Sequence, residues 1–447
     1  MDAARAAEAR GDIAAALEAY SSLVAATHSP PAAVLLSLAL CLRASGASVA
    51  AVEARLREAL AAAAAEQQQL SGKGGGRRGR AAAAAAAADA AADARSHLAL
   101  LLLQHAGGAS SPEAASLCAS LGCRYRLAPL CYSLSTLLLA CPVAGCLDGA
   151  VPPSLIDALR VAFAPAAPFW AAHDYFSPAC GYFSYAMRLD ALGSPVSGFE
   201  QALAWLAACC VRLRPSSAPA SHIEWWAHCR PHSAGHQMHF DSDAEGACGS
   251  GGDGLCDAEL SGRSAERKSE QTGPRHPLAS LVLFIDAACG GPTLVTPQTR
   301  GGARLADCGW LVPPKTGRVA AFDGDVLHGV LPGVGAPADA SLRRVTLMIA
   351  LWDGLQVRPG SQPGAARPMP RDGGASSWLG HVACGGARDE WGARAAGDVL
   401  RDCATEVPLP GVEPLWEDVD AAANAAGGVA LRQLTGVPPY SECFQGF

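Results

Sequence analysis

Long hydrophobic runs are missing from this 447-residue chain. The strongest, Leu98-Ala99-Leu100-Leu101-Leu102-Leu103, is far shorter than the roughly 20 apolar residues that a spanning helix needs. The beginning, Met1-Asp2-Ala3-Ala4-Arg5, has no apolar leader, and Asp2, Glu8 and Asp12 are out of keeping with a transit peptide. Charge is also scarce. Only 17% of residues are charged and the net charge is −7, so neither nucleic acid nor an anionic membrane is an expected partner. Cysteines are plentiful at 17, but no C-x-x-C pair occurs and their spacing is irregular. Reduced thiols in a cytoplasmic or nuclear protein are therefore expected, some of them filling small apolar core positions. No G-x-S-x-G, Walker or dinucleotide fingerprint is present, which leaves hydrolase, ATPase and hydride-transfer readings without support.

What is present falls into unlike stretches, and the length alone predicts more than one domain. Residues 1–66 carry helical patterns: Gly11, Ile13, Ala16, Tyr20 and Leu23 on one face, a stop at Pro30-Pro31, then Leu36, Leu40 and Leu42. Gly11 and Gly46 are separated by an interval close to the roughly 34-residue period of tetratricopeptide units. The small–large pattern of Gly11, Ala16 and Tyr20 resembles those repeats too. An ordinary helical bundle is the alternative reading. Residues 67–92, with Gln67-Gln68-Gln69, a Gly/Arg stretch and an alanine run, read as a low-complexity linker. Residues 93–147 predict further helices near Asp93–Gln104 and Pro112–Leu121.

From 148 the texture changes. A helix is expected at Ser154–Phe163, and aromatics become frequent at Phe169-Trp170, Tyr175-Phe176 and Tyr182-Phe183-Ser184-Tyr185. Beyond Ser221 the chain reads as strands, at Ile223–His228, Leu281–Ile285, Gly317–Phe322 and Val345–Trp352, separated by Gly, Pro and Asp turns. Short strands in this arrangement suggest a jelly roll over 148–355. A polar, glycine-rich insertion at 242–275 lies next to its most interesting residues. Residues 356–447 form a C-terminal extension with one helical pattern at Val419–Leu434. The expected class is α+β.

The chemistry is concentrated in His239-Phe240-Asp241, His328 and Arg344-Val345-Thr346. Residues two apart on an extended strand point to one side, so His239 and Asp241 can share a metal. With His328 they make two imidazoles and a carboxylate, the set that holds ferrous iron on one face and leaves other positions open. Arg344 offers a fork that could grip an organic acid through a bidentate pair. Other candidates read more plainly. His232 and His236 lack the helix that i,i+4 zinc ligands would want, and His236 is expected either in a loop or just behind the ligands. His222, Glu224 and His228 read as ordinary polar residues of a strand, and Asp323 and Asp325 as turn formers around Gly324. Trp225 and Trp226 are expected on opposite faces of a sheet, and Tyr182 and Tyr185 in core packing.

Context adds to the triad. Gly290-Gly291-Pro292-Thr293 follows the apolar strand Leu281–Ile285, and Pro313-Pro314-Lys315-Thr316-Gly317-Arg318-Val319-Ala320-Ala321-Phe322 leads to His328-Gly329-Val330. Over roughly 220–353 the chain resembles the iron(II)- and 2-oxoglutarate-dependent dioxygenases, in particular the prolyl-4-hydroxylase-like branch. That resemblance implies a double-stranded β-helix, iron ligation by His239, Asp241 and His328, and a 2-oxoglutarate carboxylate held by Arg344 with the hydroxyl of Thr346. It also implies O2 as co-substrate, hydroxylation of a C–H bond with release of succinate and CO2, and ascorbate as a possible helper. Arg344 stands where collagen-type prolyl hydroxylases carry Lys, so the chain leans toward other branches and leaves a proline side chain open as substrate. If the N-terminal helices are repeats, they would recruit a protein substrate. The rival reading is a helical interaction protein whose jelly roll has lost catalysis.

Overall fold

The computed structural model describes residues 2–72, 77–105, 112–133, 137–138, 140–177, 180, 182–193, 198–243, 275–300, 302, 305–339, 341–355, 366–370, 404–420 and 443–444. It is a mixed α+β structure. Six helices come first, Asp2–Ala9, Ile13–Ala26, Ala32–Ala44, Val49–Gly72, Arg77–His105 and Pro112–Ser120. Their starts follow local chemistry. The Asp12 carboxylate accepts the Ala15 backbone N–H at 3.0 Å, satisfying one of the open donors of the second helix. Pro31 immediately precedes the third, where its missing N–H costs nothing. Leu35, Leu36, Val52, Leu56, Leu98 and Leu101 then close one shared core, and Tyr20, Val34, Leu38 and Cys41 another.

The stretch expected to be a linker, 67–92, is mostly helical. The fourth helix runs on through Gln67-Gln68-Gln69 to Gly72, and the fifth begins at Arg77 and takes in the alanine run. Alanine is the best intrinsic helix former, and its small side chain lets helices approach closely. Ala63, Ala90 and Ala91 are buried together against Ala32. The low complexity of this segment therefore encodes a tight helix pair. The expected helix at Val419–Leu434 lies, beyond its first two residues, outside the described residues, as does most of the 242–275 insertion.

Beside a small sheet of Trp416–Asp418, Tyr125–Leu127 and Cys443–Phe444, two large sheets form a sandwich among the described residues. The larger has the order Ala366–Pro368, Ser184–Arg188, His222–Pro231, Arg343–Trp352, Ala279–Asp286, Val319–Asp323, Ala144–Asp148, Thr405–Glu406. The smaller has the order Leu137–Leu138, Pro410–Val412, Gly309–Val312, Thr293–Thr299, Val326–Val330, His236–His239. They face each other through Val282, Phe284 and Phe322 on one side and Val295, Trp310, Val312 and Val326 on the other. The outer face of the larger sheet is covered by the helices Pro153–Ala162, Pro168–Ala172 and Gly198–Leu213. There Phe163, Trp170 and Phe199 pack with Trp225 and Leu347 of the sheet. Burial on both faces explains why residues 281–285, within the Ala279–Asp286 strand, form an unbroken apolar run rather than an alternating one.

This arrangement sorts the His222–Pro231 strand by parity. Ile223, Trp225, Ala227 and Cys229 join the helix-covered core, while Glu224, Trp226, His228 and Arg230 fall on the other face, toward the space between the sheets. The helical half meets the sandwich through an apolar cluster that joins Leu100 and Leu103 to Met238, Leu294 and Leu327, and through two carbonyls. Gln104 Nε2 donates to Pro332 O at 3.2 Å, and Arg343 donates to Gly11 O at 3.3 Å. Among the described residues no helix is long and apolar enough to cross a membrane.

Candidate metal centre

His328 lies in the Val326–Val330 strand and pairs in register with His239, the last residue of His236–His239. Asp241 follows two residues later, past the end of that strand rather than within it. The chain still turns its carboxylate toward both imidazoles. Asp241 Oδ1 is 3.5 Å from His239 Nε2 and 3.6 Å from His328 Nε2, and the three ligand atoms all lie within 4.8 Å of one another. Ring centroids of the two histidines are 4.4 Å apart.

Hydrogen bonding sets which atoms face inward. His239 Nδ1 donates to Gln237 O at 2.8 Å and His328 Nδ1 to Val326 O at 3.0 Å. A carbonyl can only accept, so both Nδ1 atoms carry protons and both Nε2 atoms point at the carboxylate. Asp241 is anchored as well. Its Oδ2 accepts the Ser280 hydroxyl, and its backbone carbonyl accepts from His276 Nδ1 at 2.6 Å. Support of this kind, one hydrogen bond behind each ligand, is what orients metal-binding side chains.

Electrostatics supply the decisive feature. Burial pushes His328 down to about 4, against the pull of Asp241, so its imidazole is neutral near pH 7 and Nε2 holds a lone pair. Burial also opposes ionisation of Asp241, yet its carboxyl lies well below the usual carboxylate range, with His239 and the Ser280 hydroxyl favouring the charged form. Asp241 Oδ1 and His328 Nε2 are buried, and neither has a hydrogen-bond partner. Two acceptor atoms facing each other out of reach of water repel unless a cation lies between them. The donor set, two imidazole nitrogens and one carboxylate, suits a divalent transition metal.

A small cavity of about 30 Å³ opens beside the triad, lined by His239, His328, Arg344, Thr346, Arg230 and Trp226 among others. Arg344 and Thr346 are both buried on the inward face of Arg343–Trp352. Arg343 points the other way, to Gly11. Arg344 donates to Gly291 O at 2.8 Å. Gly290 and Gly291 make that approach possible: a Cβ at Gly290 would sit 2.9 Å from Arg344 Cδ, and one at Gly291 would sit 2.1 Å from Leu331 O. Burial and the neighbouring Arg230 lower Arg344 from 12.5 to about 10.

Several residues read as ordinary in the sequence turn out to line this region. Glu224 accepts from Ser184 Oγ, Tyr182 OH at 3.2 Å and Trp352 Nε1 at 2.9 Å, and burial raises it to about 7. His236 lies in a strand rather than a loop, with its ring 4.5 Å from that of His239, in keeping with the other expectation of a place just behind the ligands. His228 stands edge-on to His236 at 5.4 Å. Tyr182 borders the site through Glu224, whereas Tyr185 packs on Trp225 at 5.2 Å. Trp225 and Trp226 take opposite faces. Asp323 pairs with Arg214 away from the triad.

No family model matches the chain, and no curated protein is similar enough to match it. Two solved structures are similar in part. One is a Pseudomonas putida prolyl-4-hydroxylase, at 18% identity over 30% of this chain and 54% of that one, with a TM-score of 0.18. The chain thus spans about half the length of that protein. The other is the non-heme alpha-ketoglutarate-dependent epimerase SnoN from nogalamycin biosynthesis, at 12% identity over 51% of this chain and 91% of that one, with a TM-score of 0.27. Both overlaps are slight, and the assignment below stands on the geometry of the triad.

Proposed function

We propose that this protein is an Fe(II)- and 2-oxoglutarate-dependent oxygenase built on a double-stranded β-helix. The observation that carries the reading is the pair of buried, unpartnered acceptors, Asp241 Oδ1 and His328 Nε2, directed at one point with His239 Nε2 beside it. His239, Asp241 and His328 would hold the metal through those atoms. Ligands confined to one side leave the opposite side open to a chelating 2-oxo acid and dioxygen, the arrangement that separates such oxygenases from closed structural sites.

The reaction this site would serve joins R–H, O2 and 2-oxoglutarate to give R–OH, succinate and CO2. Iron, when bound, supplies the redox chemistry with dioxygen that an unactivated C–H bond requires. The chain supplies the rest. Arg344 would exchange the Gly291 carbonyl for the distal carboxylate of 2-oxoglutarate, a charge-assisted and bidentate contact in place of a neutral one. Thr346, on the same face of the same strand, would add its hydroxyl. Ser280 and His276 keep the Asp241 carboxylate aimed, and the Gln237 and Val326 carbonyls fix the imidazole tautomers. The apolar wall of Trp226, Val282 and Met348 limits water around the reacting atoms.

Anaerobic addition of Fe(II) and then 2-oxoglutarate tests this directly, through the visible charge-transfer band of the chelate. The band should be lost in His239→Ala and weakened in Arg344→Ala. Folded wild-type protein that gives no band at saturating Fe(II) and 2-oxoglutarate would refute the reading.

A further inference from the structure

Next to the triad cavity lies a second, larger cleft of about 440 Å³, and Trp226, His228, Arg230 and His236 line both. Arg344 and Thr346 border only the inner space, while Arg230 borders both. The two arginines are register partners on adjacent antiparallel strands, so their side chains leave the sheet on the same face. Two guanidinium groups therefore stand side by side with no carboxylate paired to either among the described residues. The nearby carboxylate of Asp241 is committed to the triad.

Like charges placed together in a buried site are unfavourable unless anions join them. One dicarboxylate bound through Arg344 supplies one anionic group and leaves the second cation unanswered. Arg230 Nη1 donates to Gly235 O at 2.9 Å, whereas its Nε is buried and has no hydrogen-bond partner. An arginine edge with an open Nε–H is half of the fork that takes a planar carboxylate. Tyr175 lies beside this guanidinium, and its hydroxyl also touches His228 Nδ1 at 3.3 Å. Tyr175, Tyr182, Phe183 and Trp226 give the cleft aromatic surface, beside smaller residues such as Ser177, Cys180 and Ala234. The volume is that of a site for a small molecule.

We propose that the outer cleft binds the molecule to be oxidised and that Arg230 holds a carboxylate on it, making the substrate a small organic acid with an aromatic or apolar body. This rests on the oxygenase reading for the inner site, where Arg344 takes the co-substrate. Arg230 selects by charge, and the aromatic walls bind the body and place its far end toward the triad.

Phenylacetate and its neutral counterpart phenylacetamide are suitable probes, compared by ligand-observed NMR on Zn(II)-loaded protein saturated with 2-oxoglutarate. The acid should bind about tenfold more tightly than the amide, as expected for one desolvated charge-assisted contact. The preference should vanish in Arg230→Met while the affinity for 2-oxoglutarate stays within about threefold. Arg344→Met protein should keep the preference after losing the 2-oxo acid, so failure of the inner-site reading is distinguishable from failure of this one. Equal binding of acid and amide to the wild type overturns the proposal without recourse to any variant. A loss of 2-oxoglutarate affinity in Arg230→Met as large as in Arg344→Met also overturns it, by making both arginines a single co-substrate clamp.

Discussion

Replacing Arg344 with Met should make the ligand-free protein more stable and the liganded protein less so. Arg344 is 3% exposed, and burial is the main reason its guanidinium falls from 12.5 to about 10. That lowering corresponds to roughly 3 kcal/mol of unfavourable free energy for holding the charge in the folded state. The sign is that of a base whose folded value lies below its unfolded one. The cost is present in full below the folded value, about 10, and disappears as pH rises past 12.5, so any assay near neutrality sees all of it. The hydrogen bond to Gly291 O, worth about 1 kcal/mol, offsets part. Methionine of similar length removes both, for a net gain of roughly 2 kcal/mol and a Tm higher by a few degrees. On the proposed oxygenase reading the same change would delete one partner of a buried charge pair with 2-oxoglutarate, at a cost of about 3 kcal/mol or on the order of a hundredfold in Kd. Circular dichroism melts of Zn(II)-loaded protein, with and without 2-oxoglutarate, read both effects. Wild type should gain stability from the ligand, and the variant should start higher and gain nearly nothing. A variant that melts several degrees lower without ligand, yet is stabilised by 2-oxoglutarate as much as wild type, would show that Arg344 is a structural residue and refute the argument.

Three further outcomes follow from the same contacts. Ser280→Ala removes the hydroxyl behind Asp241 Oδ2 and should weaken Zn(II) binding by about 10- to 100-fold in a chelator competition, with the secondary structure unchanged. Glu224, raised from 4.5 to about 7, binds its proton more tightly in the folded state, so its contribution is full below about 4.5 and lost as pH rises through 7. The Tm of wild type relative to that of Glu224→Gln should therefore fall as pH rises across that window, since the buried histidines, which gain stability over the same range, are common to both proteins; parallel pH profiles would contradict it. Trp225→Ala empties the centre of a ring cluster formed by Phe163, Phe169, Phe199 and Tyr185 and should cost about 3–5 kcal/mol in urea unfolding.

The parts of the site visible in the sequence are those set by spacing along one strand. His239 and Asp241 need only be two apart in extended chain, and Arg344 is separated from Arg343 by the same alternation that puts Thr346 beside it. Glu224 and His228 read in the sequence only as ordinary polar residues of a strand, and Arg230 carries no signal at all. Such polar residues ordinarily mark a strand with one solvated face. Here the polar face is turned inward to a second sheet, a fact of tertiary packing that no local pattern carries. The alanine-rich 67–92 stretch fails for the opposite reason. Its composition is that of a linker, but alanine is also what two closely packed helices require.

Arg343 and Arg344 are consecutive, and one peptide unit separates the hold on Gly11 of the helical half from the hold on Gly291 beside the triad. If an acid bound at Arg344 displaces the backbone there, Arg343 moves with it and the seam where the helices dock is loaded as well. Thermodynamic reciprocity then applies in both directions. A protein or small molecule that levers the helices from that seam must change the affinity for the acid by the same factor with which the acid changes its own. The first turn of the chain thereby becomes a handle on chemistry that is distant in sequence.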